Sequence, residues 1–202
     1  RTAPFLLAGG PDFRSEVSTV YQAGYRARAG GLSYSVTAFH HEHERLRSLE
    51  PRPGGARFEN RIGGSTAGVT AWAQWRAAPW WQLSVGGTRQ WQRLAPDPDS
   101  NDIGGINQLG NDPRYWWVAR SAWDVTSRHT LDVFVRRVGA LPRPAVPAYT
   151  AVDLRLGWRV TPRLELSATV QNLFDPGHPE WGAAADRVEF GRIVFFQLSW
   201  RP

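Results

Sequence analysis

The sequence predicts an all-β fold, an antiparallel up-and-down meander of about nine strands, and three observations predict it. Apolar residues recur with a period of two along most of the 202 residues, the repeat of a strand with one wet and one dry face. The connections between these stretches alternate between tight turns and long polar loops. The aromatic residues gather near both ends of the apolar stretches and not at their middles. Together they give the pattern of a transmembrane β-barrel wall of the outer-membrane kind, short-turned at one end and long-looped at the other.

The strands follow in order. Residues 16–28 carry Val17, Tyr21, Ala23 and Tyr25 on one face, and residues 32–46 carry Leu32, Tyr34 and Val36. Residues 65–76 set out Val69, Ala71, Ala73 and Trp75, and residues 80–93 set out Trp81, Leu83 and Val85. Residues 114–125 present Trp117, Ala119, Trp123 and Val125, and residues 129–138 present Leu131, Val133 and Val135. The alternation is cleanest from Val152 to Val160, where Val152, Leu154, Leu156 and Trp158 oppose Asp153, Arg155 and Arg159. After Thr161-Pro162-Arg163 it resumes, Leu164, Leu166, Ala168 and Val170 against Glu165, Ser167 and Thr169, which makes an antiparallel hairpin. Residues 189–200 close the series with Phe190, Val194, Phe196, Leu198 and Trp200. Tight turns are expected at Ala29-Gly30, 77–79, 126–128 and 161–163, and long loops at 47–57, 94–113, 139–147 and 174–188, with no helix. The free edges should be Glu16 to Arg28 and Glu189 to Arg201.

Tyr25, Tyr34, Trp75, Trp80, Trp81, Trp123, Trp158 and Trp200 lie near the short turns, and Trp91, Trp116, Trp117, Tyr149 and Phe190 near the long loops. Two interfacial girdles are therefore expected. Trp81 to Trp91 and Tyr149 to Trp158 are nine or ten residues apart. At a rise of ~3.3 Å and a tilt of ~40–45° such a stretch spans roughly 25 Å of height, that of an outer-membrane apolar band. No apolar run reaches the ~18 residues of a spanning helix, and the mean hydropathy is -0.42, so a helical membrane protein is excluded. There is no Cys and no Met, position 1 included, so the chain is expected to be a piece of a longer product. The net charge is +6, but all 24 basic residues are Arg, spread singly, with Arg136-Arg137 the longest run. No stripe for a phosphate backbone results, and nucleic acid is not expected as a partner.

The stretch Val146-Pro147-Ala148-Tyr149-Thr150-Ala151-Val152-Asp153-Leu154-Arg155-Leu156-Gly157-Trp158 is followed by Leu164-Glu165-Leu166-Ser167 and by Val170-Gln171-Asn172-Leu173-Phe174-Asp175, with His178 and Glu180 just after. This resembles the C-terminal barrel region of TonB-dependent outer-membrane receptors, the Asn172-Leu173-Phe174-Asp175 element being the most specific part. Ser15-Glu16 and Tyr21-Gln22-Ala23-Gly24-Tyr25 are similar to an upstream strand of the same family. The ending Trp200-Arg201-Pro202 departs from the family's terminal aromatic, and Thr70 stands where an acidic residue is frequent. The resemblance implies that residues 1–202 are the C-terminal part of a 22-stranded barrel without its plug. It implies outer-membrane lipid around the barrel of a Gram-negative cell, energy from the TonB-ExbB-ExbD complex through the plug, and uptake of a siderophore or other metal chelate. No enzymatic activity and no cofactor are implied. A passive porin-like channel and a soluble β-rich binding module are the alternatives, and a plug of about a hundred residues upstream separates transport from a porin.

His40-His41-Glu42-His43-Glu44 is the one metal-like cluster. On a strand His41 and His43 share a face about 7 Å apart, and no third ligand follows at a zinc-like spacing. Alternation turns that face to the barrel interior, as it does Gln90, Arg120 and Arg136, and these five residues are the candidate ligand contacts. Asp132, Asp153, Arg155, Arg159 and Glu165 should line the interior, Arg159 pairing with Glu165 across the turn. His129, Asp132 and Ser127 lie close in sequence, but no G-x-S-x-G elbow accompanies them, and there is neither a phosphate loop nor a dinucleotide fingerprint.

Overall fold

The structure, a computed structural model, describes residues 6–9, 13–185 and 187–201. In chain order its elements are β1 (Leu6–Gly9), β2 (Val17–Ala29), β3 (Leu32–Arg52), β4 (Gly55–Ala78), β5 (Trp81–Pro96) and α1 (Gly105–Leu109). Then come β6 (Tyr115–Asp124), β7 (His129–Val138), β8 (Leu141–Pro142), β9 (Ala145–Val146) and β10 (Tyr149–Thr161). The last are β11 (Leu164–Gln171), β12 (Gly177–Pro179), β13 (Glu189–Gly191) and β14 (Ile193–Trp200). One sheet runs β14-β11-β10-β7-β6-β5-β4-β3-β2, nine strands in sequential meander order as the periodicity predicts. β2 and β14 are its edges.

Directly opposed residues on antiparallel strands share a face, so the register fixes the facing of the whole sheet. Leu156 opposes Leu131 and Ala168, Ala168 opposes Phe196, and Leu166 opposes both Trp158 and Leu198. Leu131 opposes Trp123, Trp123 opposes Trp81, and Leu83 opposes Trp75. Leu32, Tyr34 and Val36 join through Trp75, Ala73 and Ala71, and Tyr25 through Val36. Every apolar set read from the sequence in these nine strands thus falls on one face, with Asp153, Arg155, Glu165, Gln197 and Ser199 on the other. The apolar face is bare: Leu156 is 54% exposed, Leu198 64% and Phe196 81%. The accessible surface totals 13751 Å², against about 9,500 Å² for a compact monomer of 22.7 kDa.

Four expectations are corrected. The loop expected at 47–57 is a hairpin: β3 runs on to Arg52 and turns at Pro53-Gly54, Gly54 having φ 78. Bulges between His43 and Leu46 and between Leu46 and Ser48, with Arg45 at φ 57, shift the register and erase the period of two. Leu46, Ser48 and Glu50 beyond the bulge are buried, as are Ala56 and Ile62 on β4. The expected absence of helix fails at α1, whose first N–H groups, Gly105 and Ile106, donate to the Asp102 carboxylate at 2.9 Å each. The edge expected from Glu189 to Arg201 is split, since β13 pairs with β12 and only β14 continues along β11. The girdle at the long-loop end is smaller than expected: consecutive strand residues face opposite ways, so Trp117 joins Trp91 while Trp116 and Tyr149 face the polar side, and Phe190 lies on β13 against Trp181. At the short-turn end Tyr25, Tyr34, Trp75, Trp81, Trp123, Trp158 and Trp200 do share the apolar face, Trp81 stacking on Trp123 at 6.5 Å.

β1 pairs parallel with β4 at Gly55–Phe58, on the edge left free where β5 has ended. Short-turn geometry follows residue chemistry. Gly30 and Gly31 close the β2–β3 hairpin with φ 53 and 80, the two positive values that a type I′ turn needs.

Candidate functional site

The polar face carries charge in a continuous row near the short-turn end. Arg120 on β6 pairs with Asp132 on β7, Arg155 on β10 approaches Asp132 at 3.7 Å, and Arg155 donates to Glu165 on β11 at 2.7 Å. The expected partner Arg159 does not hold Glu165. It opposes Glu165 in register, but a bulge follows it, and its guanidinium donates instead to the Ser127 carbonyl at 3.3 Å. Gly157 opens the path that Arg155 takes, since a Cβ there would lie 3.1 Å from Arg155 Nη1 and 2.5 Å from Thr130 Oγ1.

Higher on this face a second cluster forms around the Asn172-Leu173-Phe174-Asp175 element. Asn172 ends β11 with φ 52, a left-handed value that Asn tolerates, and its side-chain amide donates to the carbonyls of Phe190 and Gly191. Asp153 accepts from the Asn172 N–H at 3.0 Å, and Leu173 N–H donates to the Val152 carbonyl. Asp175 accepts from Gly177 N–H and reaches His178 Nδ1 at 3.0 Å, while Glu180 lies 3.3 Å from His178 Nε2. Arg136 donates to Glu180 at 2.9 Å. Tyr149 stacks on the buried His178 ring at 4.0 Å, and the Arg136 guanidinium sits 5.4 Å from the Tyr149 ring. Phe174 stays exposed. The motif therefore docks the β12–β13 hairpin onto the wall.

Midway along β3, just before its bulge, His41 and His43 share the polar face with ring centroids 6.0 Å apart. His43 is bonded on both ring nitrogens, to Ser18 Oγ at 2.7 Å and Thr66 Oγ1 at 3.0 Å. His41 packs its ring on Phe39 at 5.1 Å. Gln90, one row down on β5, donates to the Pro113 carbonyl at 3.2 Å. All five candidate contacts lie on one face, but they are not one cluster: His41 and His43 meet, Arg136 belongs to the His178 cluster, and Arg120 belongs to the lower row. Arg120 opposes Ser84, six residues along β5 from Gln90, about 20 Å at strand rise. His129 is turned to the opposite face from Asp132 and bonds Thr126 Oγ1 at 2.8 Å, so no hydrolytic set is assembled.

Above β3 and β4 the segment 97–109 is fastened by carboxylates that the period-two reading did not single out. Glu50 accepts from Ser100 Oγ at 2.6 Å and Asn101 N–H at 2.8 Å, and Asp102 accepts from Leu49 N–H at 2.7 Å. Arg61 joins Glu59 and Asp99, and Arg52 also holds Glu59. The hydrogen bond from Arg61 keeps the carboxyl of Asp99 below the usual carboxylate range, and it lowers that of Glu59 as well, with Arg52 adding to it. Among the described residues no three His, Cys, Asp or Glu side chains are grouped to hold a metal ion.

Residues 1–173 match the family described as TonB dependent receptor-like, beta-barrel. The pesticin receptor of Yersinia enterocolitica is 27% identical over 205 residues, covering 90% of this chain and 28% of that protein; the pesticin receptor of Yersinia pestis is equally similar. The chain thus spans less than a third of the length of these relatives. Among solved structures, the FrpB iron transporter from Neisseria meningitidis aligns over 96% of this chain and 33% of its own, with TM-score 0.79 and 14% identity. A mutant of the ferric enterobactin receptor of Pseudomonas aeruginosa aligns over 92% and 31%, with TM-score 0.72 and 18% identity. The copper transporter OprC aligns over 94% and 32%, with TM-score 0.73 and 15% identity.

Proposed function

The chain belongs to the TonB-dependent receptor β-barrel family, and from that premise we propose that it is the C-terminal wall of an outer-membrane receptor importing a ferric siderophore or other iron complex. The observation that carries this reading is the chemical division of the sheet. One face is a bare apolar band ending in a ring of seven Trp and Tyr residues, suited to lipid, and the other is a hydrogen-bonded polar surface, suited to a watery interior. Transport draws energy from the TonB-ExbB-ExbD complex through a plug domain, and outer loops take up the chelate. The iron class is favoured by the likeness to the ferric enterobactin receptor and to the FrpB iron transporter.

His41, His43 and Gln90 are the proposed ligand contacts, since they lie in neighbouring rows on the polar face of β3 and β5. Arg136 acts at one remove by holding Glu180, and Arg120 is engaged with Asp132. The experiment is uptake of labelled ferric siderophore by iron-starved cells carrying the full-length receptor. Uptake should vanish without TonB, and His41→Ala with His43→Ala should weaken apparent affinity several-fold at equal surface expression. Undiminished uptake without TonB would make this a passive channel. Unchanged affinity in the variant would move the contacts to the loops from Pro96 to Pro113 and from Pro176 to Arg187.

A further inference from the structure

From Ser65 on β4 through β5, β6, β7 and β10, the acidic residues Asp124, Asp132 and Asp153 all lie on the polar face. The apolar face of these strands holds no carboxylate among the described residues, yet it holds three cations: Arg89, Arg93 and Arg137. All three stand at the long-loop end. The same face at the short-turn end presents Trp75, Trp81, Trp123 and Trp158 and no Arg. None of the three is ion-paired among the described residues: Arg89 lies over the Trp91 ring at 5.4 Å, and Arg137 donates to Thr150 Oγ1 at 2.8 Å. A cation facing lipid without a counter-charge is costly, and an anion at headgroup depth removes the cost.

Arg89 on β5 and Arg137 on β7 are two strand spacings and two residues of register apart, about 12 Å between their Cα atoms, with Tyr115 and Trp117 of β6 between them. Below Arg89 a groove of ≈ 540 Å³ is cut into the apolar face between Val36, Val69, Ala71, Val85, Gly87 and Trp117. Ala71 and Gly87 form its floor because they are small and opposite one another. We propose that this is a site for a single phosphate-bearing glycolipid of the outer leaflet, its phosphate held between Arg89 and Arg137 and an acyl chain laid in the groove. Arginine's planar fork of donors matches phosphate oxygens, and the Trp91 and Trp117 rings sit at the depth where headgroup meets chain. The inference rests on the barrel reading, which points the long-loop end outward.

The test uses the purified full-length receptor in nonionic detergent, with bis-phosphorylated lipid A and dephosphorylated lipid A as probes and native mass spectrometry as the readout. The receptor should bind the phosphorylated lipid at least tenfold more tightly. Arg89→Gln with Arg137→Gln should remove that preference, and Arg163→Gln, in the turn at the opposite end, should keep it. Equal binding of the two lipids, or an unaltered preference in the double variant, would overturn the site. So would full displacement by millimolar inorganic phosphate, which would show that the acyl chain contributes nothing. An unsubstituted receptor that imports iron but shows no lipid preference refutes this inference alone, whereas failed uptake with the preference intact refutes only the transport reading.

Discussion

Between Arg155 and Glu165 runs the backbone of Gly157, and the salt bridge crosses the space that a side chain there would fill. Gly157→Val should therefore break the Arg155–Glu165 bond and crowd Thr130, at a cost of about 1–3 kcal/mol typical of overpacking. The check is the temperature at which the folded barrel loses its fast-migrating form on gels. A clear fall is expected for Gly157→Val, and almost none for Gly30→Asn, where φ 53 suits Asn and nothing lies within 4 Å. The same site shows where sequence reading stops at residue scale. Arg159 opposite Glu165 follows from counting across a turn, but the bulge after Arg159 and the gap at Gly157 hand the carboxylate to Arg155. His178 was legible only as a neighbour of the Asn172 element; its stack on Tyr149 joins residues 29 positions apart and exists only once register is known.

Strands were legible where alternation is uninterrupted, and misread where the backbone bulges. β10 and β11 could be read residue by residue, while β3 beyond Arg45 looked like a loop because its register shifts twice. That extension has a function within the fold: with β4 it forms the platform on which Glu50, Asp102 and Arg61 fix the segment 97–109. Asp99 and Glu59 have folded pKa values lowered by Arg61, so their contribution is present above the ordinary carboxylate range and is lost as pH falls through the lowered values. The hydrogen-exchange protection of residues 97–109, each rate taken relative to the intrinsic amide rate at the same pH, should be high at neutral pH and fall below about pH 4, the ordinary carboxylate range. Arg61→Gln should lower that protection at neutral pH; undiminished protection in that variant would show that the ion pairs do not hold the segment.

As a whole the sheet has one layer, two edges at β2 and β14, and an apolar face with none of the described residues packed against it. Such edges and such a face are removed only by closing the barrel and surrounding it with lipid. Residues 1–202 expressed alone should therefore aggregate, and a monomeric, cooperatively folded species in detergent-free buffer, by sedimentation and near-UV circular dichroism, would contradict that. The division into two faces was readable from the alternation of Val152 to Trp158 because strand facing depends on parity alone. Which polar residues meet was not readable, because that depends on tilt, bulges and loop docking. The most direct test of the two-faced wall places single spin labels along β10 in the membrane-embedded full-length receptor, a stretch with no Cys of its own. Labels at Val152, Leu154 and Leu156 should collide preferentially with dissolved oxygen, and labels at Asp153 and Arg155 with a water-soluble nickel complex, with a strict period of two. Equal access of both relaxants along the strand, or the opposite phase, would contradict the account.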